Sequence, residues 1–113
     1  MSLHIRRSDW FLGDLEHYAA WYQIQANWEL AERYLLAVSA TATKLAEMPG
    51  LGRPAQFSSP ILRDLRCFPV DRPFEKHLVF YRHDDATLYL ERVVHGARNL
   101  PRSLTEPPSQ ERS

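Results

Sequence analysis

The chain has 113 residues, of which 44% are apolar and 25% charged, the composition of one small domain that can bury a core of its own. Its 14 Lys and Arg balance 14 Asp and Glu, which argues against a protein that grips nucleic acid mainly through a strongly basic surface. The single cysteine, Cys67, excludes an intramolecular disulfide and a cysteine-cluster zinc site, and no apolar run is long enough to span a bilayer or serve as a signal peptide, so the expectation is a cytoplasmic protein with no membrane segment.

Leu3 to Arg7 forms a first short candidate strand. Ser8 then offers an N-cap oxygen, with Asp9 at the positive end of the helix that follows. Phe11, Leu15, Tyr18 and Tyr22 recur at helical spacing. Asn27 supplies a second N-cap, and Ala31, Tyr34, Leu35, Val38, Ala42 and Leu45 give a long amphipathic helix that Pro49-Gly50 stops. Two helices with so short a join predict an antiparallel hairpin. Residues 49–60 are rich in Pro, Gly and Ser and predict a loop.

The period then changes to two. Leu62 to Phe68 is a candidate strand, and Pro69 and Pro73 bracket a turn. His77 to His83 is the next strand, with His77, Val79 and Tyr81 on one face and Leu78, Phe80 and Arg82 on the other. Asp84-Asp85 connects it to a last strand, Thr87 to His95. Strict alternation there puts Leu88, Leu90 and Val94 on one face and Tyr89 and Val93 on the other. The expected domain is 1–103, and the polar, proline-containing segment 104–113 is expected to be a disordered tail. The layout is β-α-α-β-β-β: an α+β fold in which a helical hairpin packs on a small, mostly antiparallel sheet.

Charge is uneven along the chain. Residues 53–113 hold ten of the fourteen cations, and twelve of all fourteen are Arg. Arg63, Arg66, Arg92, Arg98 and Arg102 are therefore candidates for a cationic contact patch, set against a bland alternative of solvated arginines paired with Asp64, Asp71 or Glu91. Trp10, Trp21 and Trp28 fall in the hairpin with three tyrosines. Packing within the core accounts for most of them, leaving one of Trp21 and Trp28 as a candidate partner contact at the hairpin tip. Strand histidines such as His77 are more often packed and hydrogen-bonded than catalytic. No two histidines have helical metal-ligand spacing, and no nucleotide-binding fingerprint is present, so neither a metal nor a cofactor is expected.

Three stretches carry a family resemblance. Glu47-Met48-Pro49-Gly50-Leu51-Gly52-Arg53-Pro54 resembles the "hPxxGrP" loop of the ParE/RelE toxin superfamily. His77-Leu78-Val79-Phe80-Tyr81-Arg82 resembles its "H-h-h-F-Y-R" strand, and Arg92-Val93-Val94-His95-Gly96-Ala97-Arg98-Asn99-Leu100-Pro101 its "R-V-L-H-x-x-R-D" terminal strand, with order and spacing matching over about residues 3–104. The ParE branch is the more similar. The resemblance implies a type II toxin, of the kind called plasmid-stabilisation proteins, encoded beside a cognate antitoxin whose C-terminal segment wraps and neutralises it. ParE-like members poison DNA gyrase and block replication. RelE-like members cleave mRNA on the ribosome.

On that resemblance His95, Arg98 and Arg102, at the last strand and its exit, are the candidate target-binding residues. Tyr22, Leu35, Val38 and Leu90 are the candidate antitoxin contacts. The expected partners are the antitoxin and DNA gyrase, with nucleic acid met only through their complexes. Two other readings stay open. In the first, His95 and Arg98 serve a metal-free ribonuclease, which needs an acid, a base and cations for the phosphorane. Against it, the place of the family's terminal Tyr falls near Leu104, which has no proton to give, and the place of its Lys pair reads Arg63-Asp64-Leu65-Arg66. In the second, the chain is a non-toxic module that only binds antitoxin.

Overall fold

The computed structural model of the chain describes residues 2–55, 57, 59–96 and 100–108. β1 (His4–Arg7) leads into α1 (Asp9–Gln25) and α2 (Trp28–Glu47). Both expected caps form: Ser8 Oγ accepts the Phe11 N–H at 2.9 Å, and Asn27 Oδ1 accepts the Leu30 N–H at 2.8 Å. β2 (Arg53–Pro54), β3 (Arg66–Pro69), β4 (His77–His83), β5 (Thr87–His95) and α3 (Leu100–Leu104) follow. Among the described residues the strands form one sheet in the order β1-β5-β4-β3-β2, with β1 parallel to β5 and the other pairs antiparallel.

The hairpin lies on one face. Phe11, Tyr34, Val38, Ala42 and Leu45 pack there against Val79, Tyr81, Leu88, Leu90 and Val93. A second cluster on the opposite face joins Leu62, Leu65, Cys67, Phe80, Val94 and Leu104. The single cysteine is buried here, and burial pushes its thiol pKa up.

Two of the motif stretches interlock. Tyr81 Oη donates to Pro49 O at 2.6 Å and accepts the Gly52 N–H at 2.9 Å, and Arg66 Nε donates to Gly52 O at 3.0 Å. A Cβ on Gly52 would stand 2.5 Å from Tyr81 Oη and 3.0 Å from Cys67 O, so glycine is required by close approach.

Several expectations change. The loop after α2 holds the short strand β2. The strand expected over Leu62–Phe68 begins only at Arg66, because Pro60–Leu62 makes a 3₁₀ turn and Asp64 has a left-handed φ of 67°. The alternation expected along β5 fails at Glu91. Phe80 pairs with Arg92 but Tyr81 pairs with Leu90, so Glu91 is a bulge. Val93 therefore joins Leu88 and Leu90 in the hairpin-facing core, and Val94 turns to the second face. Ser8 pins the bulge, its N–H donating to Leu90 O at 3.0 Å and its Oγ to Glu91 O at 2.8 Å.

The segment from Leu104, expected as the start of a tail, is packed through part of its length. Leu104 is buried, and Arg92 Nη1 donates to the carbonyls of Ser103, Leu104 and Glu106 at 3.0, 3.0 and 2.8 Å.

Candidate functional site

β1 pairs only with residues Thr87–Leu90 of β5. Beyond that no strand among the described residues pairs with this edge of β5, and α1 side chains take over. Asp14 Oδ2 accepts the Val93 N–H at 3.0 Å, and Tyr18 Oη accepts the His95 N–H at 3.0 Å. This is edge protection by side chains, and it fixes α1 along β5. It also brings the exit of β5 to the apex end of the hairpin.

The contact runs on without a break. The His95 ring lies 5.3 Å from His77, His77 Nε2 is hydrogen-bonded to Tyr22 Oη at 2.9 Å, and Tyr22 stacks edge-on with Trp21 at 5.2 Å. His77 is buried among Tyr18, Tyr22 and Tyr34, with ring centroids 4.8, 5.8 and 4.7 Å away. Burial first, and His95 second, lower its pKa to about 4, so the imidazole is neutral at pH 7. Its Nδ1 and the Tyr34 hydroxyl are buried with no hydrogen-bond partner among the described residues. His77 is thus packed and hydrogen-bonded, as a structural strand histidine would be.

The tryptophans overturn the packing expectation. Trp21 is 51% exposed and Trp28 60%, with Ile24 at 79% between them and Leu36 at 63% along α2; Trp10 is exposed as well. All are on the hairpin. On α1, Trp10, Trp21 and Ile24 are off the stripe of Phe11, Tyr18 and Tyr22, so helical periodicity carried their signal; Trp28 keeps the phase of Ala31 and Val38 and is exposed as the first residue of α2. Clustered exposed aromatic and aliphatic side chains mark a protein-binding surface.

The candidate contacts separate accordingly. Leu35 is exposed and Tyr22 half-buried on the hairpin. Val38 and Leu90 are buried in the main core, so they fasten the hairpin to the sheet and present no surface to an antitoxin. His95 is half-buried at the β5 exit. Arg98 lies outside the described residues. Arg102 is carried on α3, which packs on the second face, and its Nε donates to Glu106 Oε2 at 2.9 Å. The structure therefore does not group Arg102 with the His95 ring.

Arg92 leaves the cationic patch altogether. It is buried and paired with neither Asp64, Asp71 nor Glu91. Its Nε and Nη2 donate to Asp14 Oδ2 and Oδ1 at 2.8 and 2.7 Å, and its guanidinium lies 5.0 Å from the Trp10 ring centroid. Burial pushes the Asp14 carboxyl up; the Arg92 guanidinium and the Val93 N–H pull it back. Among the described residues no group of His, Cys, Asp and Glu could hold a metal ion, and no helix is long and apolar enough to cross a membrane.

Comparison with known proteins agrees with this geometry. No curated protein matches the chain by sequence. A solved structure titled "Chromosomal ParDE TA system from P. aeruginosa" has the same fold: the TM-score is 0.67 at 13% identity, covering 83% of this chain and 96% of that one. Residues 5–100 match the family described as "ParE toxin of type II toxin-antitoxin system, parDE". With nearly the whole fold inside that match, from β1 to the start of α3, the chain belongs to the ParE toxin family of type II toxin–antitoxin systems.

Proposed function

We propose that this toxin acts in the cytoplasm by inhibiting DNA gyrase through protein–protein contact, and that a cognate antitoxin neutralises it by covering the hairpin apex. The observation that carries the reading is the exposed Trp21, Ile24 and Trp28 at the hairpin apex, which ring contacts through Tyr22 and the buried His77 tie to the β5 exit at His95. An antitoxin segment lying over the apex also hides the β5 exit. Antitoxin and target then compete for one end of the molecule, and neutralisation needs no change in the fold. Arg98 belongs to this exit by sequence and is proposed as a further target contact; Arg102, on α3, is proposed as a secondary one.

The test is a supercoiling assay with purified gyrase and relaxed plasmid. The toxin is expected to abolish supercoiling and to accumulate cleaved plasmid, and Trp28→Glu is expected to lose that effect while keeping its melting temperature. Unchanged supercoiling at excess toxin, together with arrest of protein synthesis in cells and oligoribonucleotide cleavage lost in His95→Ala, would replace the gyrase reading with the ribonuclease one.

A further inference from the structure

The second face of the sheet is only partly covered. α3 and the segment around Leu62 and Leu65 lie over Cys67, Phe80 and Val94. Towards the other end of the strands this face carries a row of three side chains on three neighbouring strands. Arg6 of β1 is directly opposite Tyr89 of β5, and Tyr89 is directly opposite Arg82 of β4. Directly opposed residues share a face, and Arg82 lies two residues beyond Phe80, on the same face. Tyr89 thus stands between two guanidinium side chains, with about 4.8 Å of strand spacing to each side. An open groove of about 560 Å³ runs past Tyr89 and Arg82 to Arg66 and His83, with Asp64 on its wall.

The row is held in shape. Tyr89 Oη donates to Asp84 Oδ2 at 3.1 Å, which fixes the ring from the β4–β5 turn. Asp84 also accepts the Ala86 and Thr87 N–H groups at 2.9 and 2.8 Å, and these bonds hold its carboxyl below the usual range. Arg82 Nη2 donates to Ile61 O at 2.8 Å, which steadies that guanidinium beside the groove.

We propose that this row binds a short single-stranded nucleic-acid segment, a base stacking on Tyr89 and the flanking phosphates meeting Arg6 and Arg82. An aromatic side chain with an arginine directly opposite it on each neighbouring strand matches the alternation of base and phosphate along a single strand. An acidic peptide would use the two cations but would leave the ring between them without a role. The site is local, which is why a net charge of zero does not forbid it. The inference needs only the purified toxin and stands whether or not gyrase is the target.

The test is fluorescence anisotropy of a labelled twelve-nucleotide oligo-dT against the full chain. With two phosphate contacts on a single strand, the slope of log K against log salt is about −1.4, or roughly sevenfold weaker binding at about 200 mM than at about 50 mM salt. Arg6→Gln, on an exposed edge strand, and Arg82→Gln should each halve that slope. Tyr89→Ala should weaken binding about fivefold or more, whereas Tyr89→Phe keeps the stacking surface and should bind like the parent. Parent-like melting temperatures establish that each variant is folded. The proposal is overturned if the oligonucleotide does not bind at low salt, or if Arg6→Gln and Tyr89→Ala bind it as the parent does. It is equally overturned if polyglutamate displaces the oligonucleotide and binds Tyr89→Ala undiminished, which marks an acidic-peptide surface.

Discussion

Removing the Asp14 carboxylate tests the linkage between hairpin, sheet and α3 most directly. That carboxylate accepts from Arg92 Nε, Arg92 Nη2 and the Val93 N–H, all within 3.0 Å and all buried. Asp14→Ala leaves a buried guanidinium without its counter-charge and a buried strand amide without an acceptor. Breaking a buried ion pair on one side costs about 3–5 kcal/mol, and the orphaned amide adds to it, so the expected loss is at least about 4 kcal/mol. That is a large part of the roughly 5–15 kcal/mol that holds a domain of this kind together. Urea unfolding followed by far-ultraviolet circular dichroism measures it as a fall in the midpoint at constant slope. Asp14→Leu combined with Arg92→Met removes both charges at once. The double variant should be more stable than the sum of the single losses by about 2 kcal/mol or more. It should still expose the amides that follow α3 to hydrogen exchange, because Arg92 also holds the carbonyls of Ser103, Leu104 and Glu106. The reasoning fails if Asp14→Ala loses less than about 1 kcal/mol, or if the losses are simply additive.

His77 gives a pH signature. Its pKa is lowered from 6.5 to about 4 in the fold, so between those values the unfolded chain binds a proton that the folded chain refuses. Stability contributed by neutral His77 is complete above pH 6.5 and drains away as pH falls towards 4, by about 3 kcal/mol in all. The difference in unfolding free energy between the parent and His77→Leu should carry this slope; a difference flat with pH refutes it. Gly52→Ala pushes a methyl into Tyr81 Oη and Cys67 O, and should cost about 2 kcal/mol through the hydroxyl's lost bonds to Pro49 and Gly52. A variant as stable as the parent would show that the loop can shift freely.

Much of the fold was legible in the chain because local chemistry repeats at short range. Ser8 and Asn27 announce the two helix starts through side-chain oxygens that satisfy amides three residues on. The period of two marks β4 and β5 at the ends the structure gives them. The motif residues Pro49, Gly52 and Tyr81 were legible as a family pattern, but the hydroxyl that joins them was not. The candidate site was legible only in outline. His95 stood out at the strand exit, but its meeting with the hairpin apex depends on Tyr18, 77 residues away.

By itself, then, the sequence determined the hairpin, the succession of the main strands along the chain and the toxin family, because caps and periodicity are properties of neighbouring residues and the motifs are short local patterns. Only the tertiary structure decided which faces those elements present. The bulge at Glu91, pinned by Ser8 across 83 residues, reversed the facing of the residues after it. The buried Asp14–Arg92 pair took one arginine out of the surface, and the way the hairpin packs on the sheet left its tryptophans exposed. Each outcome turns on a contact between segments far apart in sequence, where no local pattern specifies which partner a side chain will find.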